Sequence, residues 1–210
     1  MRFLLVGALI GLWASVAQAC EGQKGKVLYE DTFADDSGGW LSYTNFVVKA
    51  SGAEVSGIQP GQAARLVNQT FSFNQADYCL EFVFPPNDPN AREYMVGVTF
   101  LSSADATEQY EASLTNMGVV SLIHTSSVNF ARIWFVDQKS TANLTEGSSN
   151  SIEAVVKGST ISVLLNGKLV KAVRAQIPNG DFRFGFNLDN AGSRVNGVFK
   201  VKSVKVTEAQ

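Results

Sequence analysis

Arg132 and Trp134 stand two residues apart in an alternating run, so a strand there puts a guanidinium and an indole on one side. An aromatic ring rimmed by planar polar groups stacks on the apolar face of a pyranose and hydrogen-bonds its hydroxyls. Tyr110 and Asn187 are weaker candidates of the same kind. The competing role for Trp134 is simple packing within a sheet layer. Carboxylates offer a second chemistry, because two of them flanking a glycosidic bond can cleave it, one donating a proton. Glu108 and Glu111 are three apart, which on a strand sends them to opposite faces, so a working pair must come from separate strands. His124 alternates with Val120 and Leu122 and reads as a partly buried strand residue; no G-x-S-x-G motif supplies a nucleophile for it. Asp31, Asp35 and Asp36 could offer oxygens to a structural Ca²⁺, although the D-x-D-x-D-G loop of a strong calcium site is missing.

Composition narrows these options. The chain has 210 residues, one His, two Cys and a formal charge of −2. One His and two Cys leave little for a zinc site, and the balance of charge argues against a nucleic-acid partner. No cofactor is expected beyond that weak calcium possibility. Charge is uneven: from Cys20 to Asn150 there are 7 basic and 15 acidic residues, and from Ser151 onward 9 and 4. Acidic and basic strands lying side by side as cross-strand partners account for this most simply. Lys200, Lys202 and Lys205 then read as solubilising lysines on an outer strand rather than an anion-binding patch.

The first 19 residues read as an export signal. Arg2 gives a short basic start, Phe3 to Val16 an apolar run, and Ala17-Gln18-Ala19 a signal-peptidase site. The run is short for a membrane span, and no second apolar stretch of about 18 residues follows. A single domain from 20 to 210 is expected, exported to a periplasmic or extracellular space. Cys20 at the new N-terminus leaves two outcomes open. A lipoprotein would carry its anchor there, but the preceding residues lack the usual Leu, which favours a soluble chain. In that case Cys20 can pair with Cys79, which points away from the aromatic face formed by Tyr78, Leu80, Phe82 and Phe84. Oligomeric state is not legible.

The elements that must position these residues are strands. Period-two alternation dominates, as in Tyr94-Val96-Val98-Phe100, Ile161-Val163-Leu165 and Phe182-Phe184-Phe186. Turn chemistry separates the runs, most strongly at Asn166-Gly167, where a type I′ hairpin is expected. The closing run from Val198 to Val206 changes phase near Lys202-Ser203, which predicts a bulge. About a dozen strands follow, enough for an all-β sandwich of two antiparallel sheets. Trp40, after Gly38-Gly39, is expected to plug one end.

Three segments carry a resemblance. Asn150 to Val170, with its strand, second strand and Asn166-Gly167 hairpin, resembles the late strands of concanavalin A-like lectin/glucanase sandwiches, the laminin-G-like group that includes bacterial 3-keto-disaccharide hydrolase-like domains. Tyr110 to Leu122 resembles that group's central hairpin, and Gly180 to Phe186 its penultimate strand. Asp31-Thr32-Phe33 with Trp40 resembles its opening. The resemblance implies a jelly roll and a glycan or polysaccharide ligand. The glucanase members' Glu-x-Asp-x-x-Glu or Glu-x-Asp-x-Glu strand does not occur here. The expected function is therefore non-catalytic glycan binding, with a glycoside hydrolase or a structural envelope interaction domain as alternatives.

Overall fold

The computed structural model describes residues 20, 22–42, 45–49, 52–86, 94–105, 107–126, 131–140, 144, 147–180, 182–191 and 196–210. The expected export signal at 1–19 and the start of the Phe130–Val136 run lie outside them. Fifteen strands are described, in two antiparallel sheets.

The eight-stranded sheet follows the order β13 (Lys168–Arg174), β12 (Thr160–Leu165), β11 (Asn150–Lys157), β6 (Ala76–Val83), β15 (Gly197–Glu208), β4 (Gly52–Ile58) and β3 (Asn45–Lys49), with β1 (Val27–Asp31) also paired to β15. The seven-stranded sheet runs β10 (Ala131–Lys139), β9 (Val119–Ser126), β8 (Glu108–Thr115), β7 (Met95–Ser102), β14 (Arg183–Asn190), β5 (Gln62–Asn68) and β2 (Trp40–Ser42). Consecutive strands run side by side in β13-β12-β11 and in β10-β9-β8-β7, while β6, β15 and β4 in one sheet and β14, β5 and β2 in the other join strands distant in sequence, as a jelly roll does.

Alternation decides what lies between the sheets. Tyr78, Leu80 and Phe82 of β6 meet Val96, Val98 and Phe100 of β7, Tyr110, Ala112 and Leu114 of β8, and Phe184 and Phe186 of β14 in one core. The expected Asn166-Gly167 hairpin is present, with φ of 49° and 71° at the two positions, and joins Leu165 to Lys168 in register. The expected phase slip is present as well: the pairing of β15 with β6 shifts between Val201 and Ser203, which keeps Val204 and Val206 in the core.

Asp31 organises the aromatic end. Its Oδ1 accepts from the Phe33 amide at 2.7 Å, and its Oδ2 from Trp40 Nε1 at 2.7 Å and Tyr29 Oη at 3.2 Å. Trp40 packs with Tyr29, Phe33, Phe184 and Phe186 at centroid distances of 5.1 to 6.1 Å. Burial, with Asp31 beside it, pushes the Tyr29 phenol well above its ordinary pKa, so it stays protonated and donates.

Cys20 and Cys79 form a disulfide with Cα atoms 5.9 Å apart. A lipid anchor would need the Cys20 sulfur that this bond occupies. Cys79 lies on the outer face of the eight-stranded sheet, and the N-terminal segment crosses it, as the alternation in β6 requires. Two of the basic residues after Ser151 face acidic residues of the earlier part across a strand boundary, Lys200 opposite Glu54 and Lys205 opposite Glu30, and Glu54 also pairs with Lys49. One expectation fails. β15 sits between β6 and β4, so Lys200, Lys202 and Lys205 protect no edge. The sequence marks β15 as amphipathic, but amphipathicity does not distinguish a central strand from an edge when one face of the sheet is open to water.

Candidate functional site

On the seven-stranded sheet, residues alternating with the core point outward and line a cleft of about 820 Å³. β8 contributes Gln109 and Glu111, β14 contributes Asn187 and Asp189, β5 contributes Arg65 and β9 contributes Ile123. Glu111 and Asn187 form its floor. Both are more than nine-tenths buried, and Asn187 Nδ2 donates to Glu111 Oε2 at 3.3 Å. They meet because the intervening residue is Gly97 of β7, directly opposite both Asn187 and Ser113. A Cβ at Gly97 would stand 2.9 Å from Ser113 Cβ and 3.1 Å from Glu111 Cγ, so the glycine makes room for the contact.

The same floor holds hydrogen-bonding capacity that the protein leaves unused. Gln109 Oε1 and Asn187 Oδ1 are buried and have no partner among the described residues; Thr99 Oγ1 and Ser113 Oγ, on the same outward side of β7 and β8 but outside the cleft lining, are likewise buried and unpartnered. Buried polar atoms are ordinarily satisfied by protein, water or ligand, so two in the cleft and two beside it give this side of the sheet unused polar capacity. At the rim, Arg183 Nη1 donates to Gln69 Oε1 at 2.7 Å. Asp105 sits in the β7–β8 loop, where the Ser103 hydroxyl and the Thr107 hydroxyl and amide donate to Oδ1 at 2.7, 2.8 and 3.1 Å. Those bonds favour the charged form and hold its carboxyl down at about 2. Asp105 therefore has no proton to give near neutrality.

The four ligand candidates read from sequence do not form one site. Asn187 lies on the cleft floor. Trp134 is opposite Ile123 on β10, the margin strand, so it shares the cleft's side of the sheet; it is 51% exposed. Arg132 is opposite Thr125, in the same phase as Trp134, but its side chain is outside the described residues. Tyr110 is on the other side of the sheet: it is core, 2% exposed, and its hydroxyl donates to the Gln176 carbonyl at 2.9 Å. Burial, with a contribution from Glu108, raises the Tyr110 phenol pKa.

His124 stacks on Tyr110 with centroids 4.4 Å apart, at the mouth of a second, more apolar cavity of about 990 Å³ between the sheets that Glu108 also lines. Glu108 and Glu111 thus face different cavities, as their spacing requires. The Ile133–Phe135 run departs from simple alternation. A bulge between Trp134 and Val136 leaves Phe135 half-buried against the core, buries Val136 and exposes Ile133 at the edge.

Of the three calcium candidates, Asp31 is engaged by the aromatic cluster, Asp35 Oδ1 accepts from the Ser37 amide at 2.9 Å, and Asp36 is exposed. Among the described residues no group of three or more His, Cys, Asp or Glu is placed to hold a metal ion. Asn68, the first residue of an Asn-x-Thr sequon, is fully buried and caps the Thr70 and Phe71 amides.

Asn187 was a candidate from sequence, but its pairing with Glu111 was missed. A signal for it existed: Gln109, Glu111, Ser113 and Thr115 form an unbroken polar face on β8, and every one of them is buried.

No family model and no curated protein sequence matches the chain. Solved structures do. The laminarinase catalytic domain from Thermotoga maritima superposes with a TM-score of 0.68 at 8% identity, over 90% of this chain and 100% of that one. The carbohydrate binding module CBM66 from Bacillus subtilis gives 0.63 at 14% identity, over 80% and 95%. Bacillus licheniformis β-glucanase gives 0.61 at 14% identity, over 88% and 99%. The fold is a concanavalin A-like jelly roll. At such identities the shared property is the path of the chain, and the chemistry of this concanavalin A-like sandwich rests on its own side chains.

Proposed function

We propose that this protein binds a glycan in the cleft of its seven-stranded sheet without turning it over, and that it does so outside the cytosol. The observation carrying this reading is the cleft floor, where Asn187 and Glu111 are joined and two buried oxygens, Gln109 Oε1 and Asn187 Oδ1, are left unpartnered. Sugar hydroxyls, directly or through ordered water, supply the donors that such oxygens accept. Trp134, at the margin on the same side, is the ring on which a sugar leaving the cleft would stack. The glycan-directed neighbours, a binding module among them, are consistent with this. The disulfide and the N-terminal signal pattern support export.

Absence of turnover is argued from the carboxylates. Among the described residues three carboxyls line the cleft. Asp105 at the rim is held charged and has no proton to donate. Glu111 and Asp189 are two strands apart and four residues out of level. Their Cα atoms are therefore about 17 Å apart by strand geometry, a poor start for carboxyls that must close to about 5–9 Å. The test is a glycan array followed by titration of the best hit. Asn187→Ala is expected to weaken binding at least tenfold, and Trp134→Ala to weaken it less. Binding indifferent to both substitutions rules out this site. Reducing-sugar release that disappears in Glu111→Gln establishes the hydrolase instead.

A further inference from the structure

The opposite side of the molecule carries a second pair of carboxyls that the glycan reading does not use. Asp77 of β6 and Glu153 of β11 are diagonal neighbours on the outer face of the eight-stranded sheet: Asp77 is opposite Val155, and Glu153 is opposite Cys79. They are only 7% and 6% exposed, because the N-terminal segment lies over them. Gln23 Nε2 donates to the Asp77 carbonyl at 2.9 Å and to Asp77 Oδ1 at 2.8 Å. Cys20 is bonded to Cys79, next but one to Asp77. The Glu208 amide donates to the Lys26 carbonyl at 2.9 Å, and Gly25 is pressed so closely on Glu208 that a Cβ would lie 1.9 Å from its carbonyl oxygen. Cys20 and residues 22–26 thus form a strap with the disulfide beneath it.

The surroundings offer little to neutralise two charges. Lys205 of β15 is opposite Cys79, but its ammonium lies 3.8 Å from Glu30 of β1. Glu81, next on the same face of β6, accepts from the Ser149 hydroxyl at 2.6 Å and the Ser203 hydroxyl at 3.4 Å. On the β12 side the residue opposite Glu153 is Leu164. Lys24 and Lys26 of the strap and Glu208 at the end of β15 are exposed, and Glu21 lies outside the described residues. Two adjacent carboxyls shielded from water hold one proton between them. Burial raises both; the neighbouring Asp77 carboxylate lifts Glu153 further, to about 8.

We propose that the Asp77–Glu153 pair, sharing one proton, is a pH-sensitive latch that keeps the N-terminal strap closed over the Cys20–Cys79 bond, and that loss of this proton loosens the strap and opens the disulfide to reductants. With the strap lifted, both carboxyls meet water and ionise at ordinary values. The closed form therefore binds one more proton than the open form across the window from the ordinary carboxylate range to about pH 8. Closure weakens as pH rises through that window and levels off above it.

The experiment is the rate of disulfide reduction in the full oxidised chain by a water-soluble phosphine, from about pH 5 to pH 9. Each rate is divided by that of Glu153→Gln at the same pH, so that the reagent's own pH dependence cancels. The ratio is expected to climb with pH, by at most about tenfold per unit, and to flatten near pH 8. Infrared spectra of the unsubstituted chain near pH 6 should show a buried protonated-carboxyl band, a readout that needs no variant to fold. Asp77→Asn removes the neighbouring charge but leaves Glu153 buried, so the band should persist and the pH dependence should move to lower pH. Parallel rate profiles for the two chains, or no such band, overturn the latch. So does slowing of reduction by added Ca²⁺ at neutral pH, which would assign the pair to a cation rather than a proton.

Discussion

Asp31 shows how one side chain can fix the meaning of several others. It is the common acceptor for the Tyr29 hydroxyl, the Trp40 indole and the Phe33 amide. Removing it leaves the Trp40 indole and the Phe33 amide short of a partner in a part-buried aromatic cluster, while the Tyr29 hydroxyl keeps the Gly38 carbonyl at 2.9 Å. Asp31→Ala is expected to destabilise the fold by about 2–3 kcal/mol, read as a lower urea midpoint at unchanged slope. Asp31→Asn should cost less, since its carbonyl oxygen can still accept. In the cleft, a second residue-scale outcome separates floor from rim. Asp105 is held ionised by the Ser103 and Thr107 hydroxyls, so glycan affinity should not titrate through it between about pH 5 and pH 8. An affinity that follows an Asp105-dependent titration in this range would contradict that assignment.

The glycines of β7 and β14 act at the level of the element, because both sit where two strands must leave space. Gly97→Ala puts a methyl 2.9 Å from Ser113 Cβ and 3.1 Å from both Glu111 Cγ and the Ala112 carbonyl oxygen, so Glu111 must turn aside and β7 and β8 must part by a few tenths of an ångström. The fold should survive while glycan affinity falls, since the Asn187–Glu111 contact is displaced. Gly185→Ala differs, because its Cβ would lie 2.1 Å from the Leu66 carbonyl oxygen of β5, and a ladder backbone does not yield. That substitution is expected to cost about 3 kcal/mol and to separate β14 from β5, measured by urea unfolding. Gly167, whose added Cβ meets nothing within 4 Å, is the control. At its φ of 71° an alanine costs about 1 kcal/mol, through backbone conformation alone.

For the whole molecule, the disulfide and the carboxyl pair act on the same surface by different routes. Cys20–Cys79 spans 59 residues of sequence, and its loss should lower stability by about 4 kcal/mol, chiefly by freeing the unfolded chain. Cys20→Ser with Cys79→Ser, compared by urea denaturation, measures this. The buried pair adds a pH slope. Asp77 and Glu153 have raised folded-state values, so their protons are held more tightly in the native protein. Stability is greatest below the ordinary carboxylate range and falls toward about pH 8, by at most about 1.4 kcal/mol per unit. In Glu153→Gln that decline should become shallower and end at lower pH, since only the burial of Asp77 is left to raise a carboxyl.

Alternation by itself determined the sandwich, the slip in β15 and the outward aim of Cys79. Each of these follows from which of two faces a residue takes, and a period of two is written in the chain. It likewise placed Glu108 and Glu111 on opposite faces. What it could not say was which strands lie side by side. Asn187 meets Glu111 across β7, Asp77 meets Glu153 across the β6–β11 boundary, and β15 is central rather than at an edge; every one of these is a fact about sheet order. Sheet order is set by long-range packing of whole strands against the opposite layer, and neighbouring residues carry almost no trace of it. The tertiary structure therefore moved Tyr110 into the core, left Trp134 at the margin, and made a cleft from a polar face of β8 that in sequence looked only like the outside of a strand.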